Sequence, residues 1–535
     1  MTTRAAPKEI APEVAIDPKR IAPTLLAAVL AAIYVVVSPP SFDLAAHMFR
    51  AQLFRIEGFG IWNNLWYSGH HIVSYSLLFP PVSAWLTPQL AAAIAATGTA
   101  ALFESLAHRH FGADAWLGAL VFAAATATNL FTGRLAFAFG ALPAMAAVVA
   151  LDRQRPWLAS ALALLSALCS PVAALFAALA GAAYAIGSYL RERHIGPALP
   201  GIGVAIAALA PVGLLAIAFP EGGNEPFAFS AMWPIPLLAI GALLVAPKDA
   251  VILRTGVVLY ALGVIAAYLV PTALGSNAVR LGTLIAAPLA ALLWWPRRIA
   301  LLALIALPLL YLEWHDSVRD LATATGKPYT TAGYYQPVLD FLSRQSGPPF
   351  RVEIPFTSFH WEAYAVATRF PIARGWERQL DIAENPIFYR GPLTAATYEA
   401  WLHRSAVRFV AASDAPLDYS AIAEMALIDR GLPYLRLVLR TAHWRVFEVR
   451  DATPIAQGAA TLTAIGPDAL TLRANRAGAT LLRVHFTPYW ALGEGSGCVQ
   501  PAGEFTLLTV DRPGPVRLVI RFSFGRIRAR SPRCT

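Results

Sequence analysis

The sequence predicts a polytopic α-helical membrane domain followed by a soluble tail of α/β and β-sandwich character. Three observations predict it. Of the 535 residues, 57% are hydrophobic and only 14% are charged, a balance soluble proteins rarely reach. Runs such as 201–219 and 251–270 are long enough to cross a hydrocarbon core of roughly 30 Å as helices. From Trp314 onward the charge density rises and the long apolar runs cease.

Residues 1–20 read as a cytosolic tail without a clear cleavage site, so 21–37 is taken as a retained first helix rather than a removed signal. Further helices are expected over 86–107, 113–130, 135–151, 157–170, 172–190, 201–219, 231–247, 251–270, 280–295 and 299–313, about eleven in all across 21–313. With the N-terminus inside, the inward loops carry Lys19–Arg20, His108–Arg109–His110, Arg153 with Arg155, Arg191 with Arg193, Lys248 with Arg254, and Arg297–Arg298. The opposite loops hold chiefly Arg50, Arg55, Arg134 and Arg280. This is the positive-inside bias. The segment 157–190 lacks a charged break, and its hairpin rests on Ser170–Pro171 alone. A single crossing there would leave the tail cytosolic. The preferred reading is a multi-pass cell-membrane protein whose 39–85 loop and whole tail are extracytoplasmic.

The tail divides at about residue 450. After a short link over 314–337, region 314–450 reads as α/β, with helices over 338–344 and 398–403 and strands over 350–355 and 407–412. From Leu432 seven short strands separated by Gly, Pro and Asp turns suggest a β-sandwich, placed at 451–535. Cys169 falls in an apolar run and reads as a packing residue. Cys498 and Cys534 could pair if the tail lies outside the cytosol, although sequence does not give their separation.

The formal charge of +10 is spread along the chain rather than clustered with aromatics, so a nucleic-acid partner is not expected. No phosphate-binding Gly-rich loop and no Gly-x-Ser-x-Gly elbow is present, which argues against ATP drive and serine hydrolysis. No repeat of 20–50 residues and no inverted pair of interrupted helices is seen.

The chemistry concentrates in 41–81, where a connector between apolar segments carries one Asp, two Arg, one Glu and three His. Asp43, His47 and Arg50 stand at i, i+4 and i+7, one face of an amphipathic helix over 43–56. A carboxylate there could act as general base on a hydroxyl, and a guanidinium could fork onto a phosphate. The alternative is a helix-capping Asp with surface charges. Trp62, Trp66 and Tyr67 surround Asn63 and Asn64, a set suited to a sugar face; the alternative is an interfacial aromatic belt. His70 and His71 are adjacent and would not face one centre, although one of them with His47 and Asp43 could hold a divalent metal. No cofactor or metal is assigned, and His47 and His70 are kept as substrate contacts. Arg134 and Arg280, at helix ends on the same side, could hold a lipid phosphate or simply snorkel to headgroups. In the tail, His360–Trp361–Glu362 and the run Arg374–Asp381 crowd charge and indole together. The second could close over a carbohydrate acceptor or form a salt-bridged turn holding the tail to the membrane domain; the structural reading is preferred.

Phe42–Asp43, the run Ala46–Arg50, Gly58 and the run Trp62–Gly69 together resemble the first outer loop of the GT-C superfamily of integral-membrane glycosyltransferases, and the helical plan over roughly 20–315 is similar. The tail resembles outer domains of actinobacterial envelope proteins of this type. The resemblance implies a sugar moved from a polyprenyl-phosphate donor (arabinofuranose and mannose donors are both used) to an envelope glycan or glycolipid. It implies Asp43 as base and outer Arg side chains on the donor phosphate. Asp43 has no adjacent second acid, which departs from the commonest pattern and leaves metal use open. A transporter or flippase of an envelope lipid, or a non-catalytic glycan-binding assembly protein, remains the alternative.

Overall fold

A computed structural model describes residues 17–535; the greater part of the expected cytosolic tail, 1–16, lies outside the described residues. The membrane region comprises α1 (Pro18–Val37), α2 (Leu44–Glu57), the short strands β1 (Trp62–Asn63) and β2 (His70–His71), α3 (Phe79–Leu86), α4 (Pro88–Phe111), α5 (Trp116–Phe131), α6 (Leu135–Asp152), α7 (Pro156–Cys169), α8 (Pro171–Glu192), α9 (Leu199–Ala218), α10 (Phe229–Met232), α11 (Pro234–Val245), α12 (Val251–Leu269), α13 (Arg280–Trp294) and α14 (Ile299–Ala324). Among the described residues, eight helical stretches are long and apolar enough to cross a membrane. One of them, Pro88–Phe131, is the pair α4 and α5, and two shorter apolar helical stretches add α7 and the α10–α11 segment. The total is the expected eleven.

The connections sort onto two sides. Ser41 abuts Gly133, Ser76 donates to the Cys169 carbonyl, and Glu221 accepts from the His71 amide, so the 38–87 loop, the α5–α6 turn, the α7–α8 hairpin and the 219–228 loop share one side. The Ser170 hydroxyl caps α8 over 3.4 Å, and Pro171 occupies its first turn. Thus α7 and α8 form the hairpin that the sequence left open. On the opposite side Asp152 pairs with Arg109 and His110.

The tail docks on the first side. Its α/β domain holds α15 (Ala332–Ser343), β3 (Arg351–Glu353), α16 (Glu362–Ala365), α17 (Arg378–Glu384), α18 (Ala395–Arg404), β4 (Val407–Ser413), α19 (Ile422–Arg430), β5 (Leu435–Arg440) and β6 (Trp444–Val449). These strands form one sheet in the order β3-β4-β6-β5, parallel only between β3 and β4. The sandwich follows with β7 (Ala456–Gly458), β8 (Ala460–Ile465), β9 (Ala469–Ala474), β10 (Gly478–His485), β11 (Trp490–Glu494), β12 (Gly497–Ala502), β13 (Phe505–Val510), β14 (Gly514–Ile520) and β15 (Arg533–Cys534). Its sheets run β15-β12-β13-β10-β7 and β11-β14-β9-β8. Alternate residues Thr480, Leu482 and Val484 of β10 point inward, the period expected of a strand with one buried face. Cys498 and Cys534 stand opposite each other on β12 and β15 and are bonded.

Three expectations are corrected. The link over 314–337 is largely helical, because α14 runs past its apolar half to Ala324 and α15 begins at Ala332. The strands β5 and β6, counted with the sandwich, complete the α/β sheet by pairing with β4. Four further strands, β7, β11, β12 and β15, are short or Gly- and Pro-containing and lack the alternation that marks the others.

The interface is itself a core. Phe49, Trp66 and Tyr67 from the loop are buried in one cluster with Val352, Phe356 and Trp376 from the α/β domain. Trp62 is buried in the sandwich core beside Leu470 and Trp490. Each such side chain contributes roughly 1.5–3 kcal/mol by leaving water, so the loop and tail hold each other in place.

Candidate active site

Asp43 sits at the N-terminal cap position of α2, yet its carboxylate caps nothing. Its Oδ1 instead accepts the indole N–H of Trp376 over 3.1 Å. Among the described residues no basic side chain lies within ion-pair distance of it. The capping alternative therefore fails, because the oxygen that would bind the first-turn amides faces the tail.

Helix α2 also carries His47 and Arg50 inward, and both are buried. His47 Nε2 donates to the Gly133 carbonyl over 3.1 Å, while its Nδ1 is buried without a partner. Burial, first of all, pushes this imidazole down to about 4, so it is neutral with its Nδ1 lone pair free. Gly133 is required here: a Cβ would fall 2.2 Å from Ser41 Oγ, and its φ of 77° suits glycine. This close approach brings the α5–α6 turn, and with it Arg134, against the residues that precede α2.

Arg50 forms a buried ion pair with Glu377 of the tail, and its guanidinium lies 3.9 Å over the Tyr75 ring. Arg280 starts α13, and its guanidinium is 5.6 Å from the Phe137 ring centre. The charges acting on it are those of Arg134, Asp43 and Glu225. Arg134 itself reaches Asp316 at 3.5 Å. The Asp43, His47 and Arg50 face of α2 and the two outer residues Arg134 and Arg280 are thus brought to one place.

The expected sugar face is not there. Trp62 donates to Asn64 Oδ1 over 2.7 Å, and Asn64 Nδ2 donates to the Gly466 carbonyl over 2.9 Å. Asn63 Oδ1 accepts from the Leu65 amide, and its Nδ2 donates to His70 Nε2 over 3.1 Å. Trp66 donates to the Ala363 carbonyl, and His70 stacks along its ring. All of these side chains are buried, so none offers a ring or amide to a ligand. They hold the tail instead. The Tyr67 hydroxyl donates to the Gly375 carbonyl over 2.5 Å and accepts the Glu377 amide over 2.9 Å. Gly375 packs so tightly on Trp66 that a Cβ would lie 2.4 Å from its ring. This clamp sets Trp376 against Asp43 and Glu377 against Arg50. His71 pairs with Glu221 at 2.9 Å and with Thr487 at 3.1 Å, so neither His70 nor His71 joins Asp43 and His47 in a ligand set. Among the described residues no three His, Cys, Asp or Glu side chains converge as a metal site.

Behind the clamp lies the salt-bridged turn. Arg374 is buried with Asp381 at 2.6 Å and Glu424 at 3.5 Å, between the Phe356 and Phe388 rings at 3.9 Å each. Arg378 pairs with Asp418 at 2.5 Å. His360 stacks on Trp376 at 3.3 Å, backing the indole that meets Asp43.

Sequence reasoning passed over two residues. Trp376 was noted only as part of a charged run. Glu225, in the loop between α9 and α10, reaches Ser276 at 3.4 Å, and its charge acts with those of Asp43, Arg280 and Arg378. Burial raises it above the usual carboxylate range. Its signal was legible: two acids, Glu221 and Glu225, in a short loop on the side of the 39–85 loop. A small cavity of about 30 Å³ beneath α2, between Arg50, Leu53 and Pro80, has room for water but not for a sugar.

No family model and no curated protein matches the chain. Its structure is similar to that of the arabinofuranosyltransferase AftD from Mycobacteria, with 13% identity and a TM-score of 0.45 over 95% of this chain. The chain spans only 57% of the AftD chain. It is also similar to an oligosaccharyltransferase from Archaeoglobus fulgidus in the apo form, with 11% identity and a TM-score of 0.49 over 94% of both chains.

Proposed function

We propose that this protein is a GT-C-type membrane glycosyltransferase that moves a sugar from a polyprenyl-phosphate donor to an envelope glycan or glycolipid. The supporting observation is Asp43: an uncapped, unpaired carboxylate at the seam of membrane and soluble domains, with Arg280, Arg134 and Arg50 gathered from three separate connections. In this reading Asp43 takes the proton of the acceptor hydroxyl. The freed oxygen attacks the anomeric carbon, the bond to the donor phosphate breaks, and the configuration inverts. The phosphate leaves with the electron pair, and Arg280 and Arg134 stabilise its charge. Polyprenyl phosphate is a good leaving group, so little acid catalysis is required. Glu377 occupies Arg50 here, so donor binding to Arg50 requires the 374–381 segment to move. We place the site and the tail on the outer face of the cell membrane, where lipid-linked donors replace nucleotide sugars; the charge bias of the loops and the disulfide support that side.

The test is transfer of a labelled sugar from a synthetic polyprenyl-phosphate donor by the purified full chain. Asp43→Asn keeps the acceptor of the Trp376 N–H and removes the base. Transfer is expected to fall by about 10²–10⁴-fold with unchanged melting. Normal turnover in that variant would reject the assignment.

A further inference from the structure

The edge of the sandwich ends at the membrane boundary. Helix α9 has 20 residues and so spans about 30 Å, the thickness of the hydrocarbon core. Its last residue, Ala218, accepts the Tyr489 hydroxyl of the sandwich over 2.6 Å. The ring of Phe219, the next residue, lies 5.6 Å from that of Phe522, just beyond β14. The hydrocarbon surface therefore lies at the level of Phe522. Phe524 lies 5.0 Å from Phe522 and is 82% exposed.

The chemistry of this segment is one-signed. After Asp511 the sequence to Thr535 contains seven Arg and no acid. Arg526 is tied to Ser531 and Arg533 to the Tyr489 carbonyl, which fixes the turn. Arg521, Arg528 and Arg530 are exposed and have no ion-pair partner among the described residues. An exposed Phe pair flanked in sequence by unpartnered guanidiniums, held at headgroup height, matches an anionic lipid surface: apolar rings enter the acyl boundary and guanidiniums take phosphates.

We infer that residues 520–530 are a membrane-surface contact in which Phe522 and Phe524 insert beside α9 while Arg521, Arg528 and Arg530 bind anionic lipid phosphates. It fixes the height of the sandwich over the bilayer, independently of the chemistry at Asp43 and of which face is outside. The test places a nitroxide at Ser523→Cys in the full chain, reconstituted in phosphatidylcholine bilayers with and without phosphatidylglycerol. The label is expected to collide several-fold less with a water-soluble nickel chelate than it does in the Phe522→Ser/Phe524→Ser background. Phosphatidylglycerol should deepen it, and Arg521→Gln/Arg528→Gln/Arg530→Gln should abolish that deepening. A label equally open to nickel in both backgrounds overturns the inference. So does shielding indifferent to the anionic lipid, or shielding that appears only with a soluble anionic polymer.

Discussion

The indole N–H of Trp376 meets the Asp43 carboxylate over 3.1 Å, joining residues 333 positions apart. The contact ties the acid that opens the first loop to a turn of the soluble tail. Tyr67 and Trp66 grip that turn through Gly375, and His360 backs the indole. In the proposed mechanism Trp376 is thus a positioning residue for the base. Trp376→Phe retains the stacking and loses the N–H. We expect the rate at saturating donor to drop several-fold, with little change in donor KM and in melting temperature. An unchanged rate would show that the contact merely packs the interface.

Arg50 and Glu377 are 4% and 8% exposed, so the pair is buried and each partner depends on the other. Removing one partner of a buried pair costs roughly 3–5 kcal/mol. Arg50→Ala should therefore lower the melting temperature and raise donor KM, and Arg50→Lys should restore stability better than KM, since an ammonium lacks the planar fork. If Glu377 holds the place of the donor phosphate, Glu377→Gln should lower donor KM. Donor titrations that show a raised KM in Glu377→Gln would mean that the carboxylate assists binding instead.

Four imidazoles at the docking surface are held neutral. Burial lowers His70 to about 3 and His47, His71 and His485 to about 4. Their unfolded value is near 6.5, so between these limits the unfolded chain binds more protons than the folded one. Stability then rises with pH, and it falls as the pH drops from about 6.5 towards 4, by about 1.4 kcal/mol per unit for each group. Glu353 and Glu424 act in the opposite sense. Burial raises both, Glu424 to about 7, so the Glu424 contribution fades as the pH rises through that value. Hydrogen exchange across 62–71 and 480–490 should accelerate below about pH 5 before the α/β sheet opens. Simultaneous opening of both regions would contradict this ordering.

The membrane helices were legible because a hydrocarbon core demands long apolar runs, and Ser170–Pro171 supplied the cap and stop for the hairpin between α7 and α8. Asp43, His47 and Arg50 were legible because helical spacing puts them on one face. Trp62, Trp66, Tyr67 and the adjacent amides were misread for a physical reason. Aromatics with interspersed polar groups suit a sugar or a polar-lined domain interface equally, and only the tertiary partners Gly375, Ala363 and Gly466 decide between them. Those partners lie hundreds of residues away, where local pattern carries no information. The same distance hid Trp376, whose neighbours in sequence announce a salt bridge and not a site.

The side on which the site works can be read with two cysteines. Phe59, 67% exposed, follows α2 on the side of the tail, and Arg193 is exposed after α8 on the opposite side. The native thiols do not interfere, since Cys169 is buried and Cys498 is bonded to Cys534. A membrane-impermeant maleimide applied to intact cells should label Phe59→Cys, and should label Arg193→Cys only after lysis. Loops rich in Arg resist translocation, and the Arg153, Arg191 and Arg193 side carries them. The two connections are separated by α3 through α8, six helices of which five cross, so they must label oppositely if the α7–α8 hairpin spans twice. Labelling of Arg193→Cys alone in intact cells would put Asp43 in the cytosol, where nucleotide sugars abound, and would remove the argument for a lipid-linked donor.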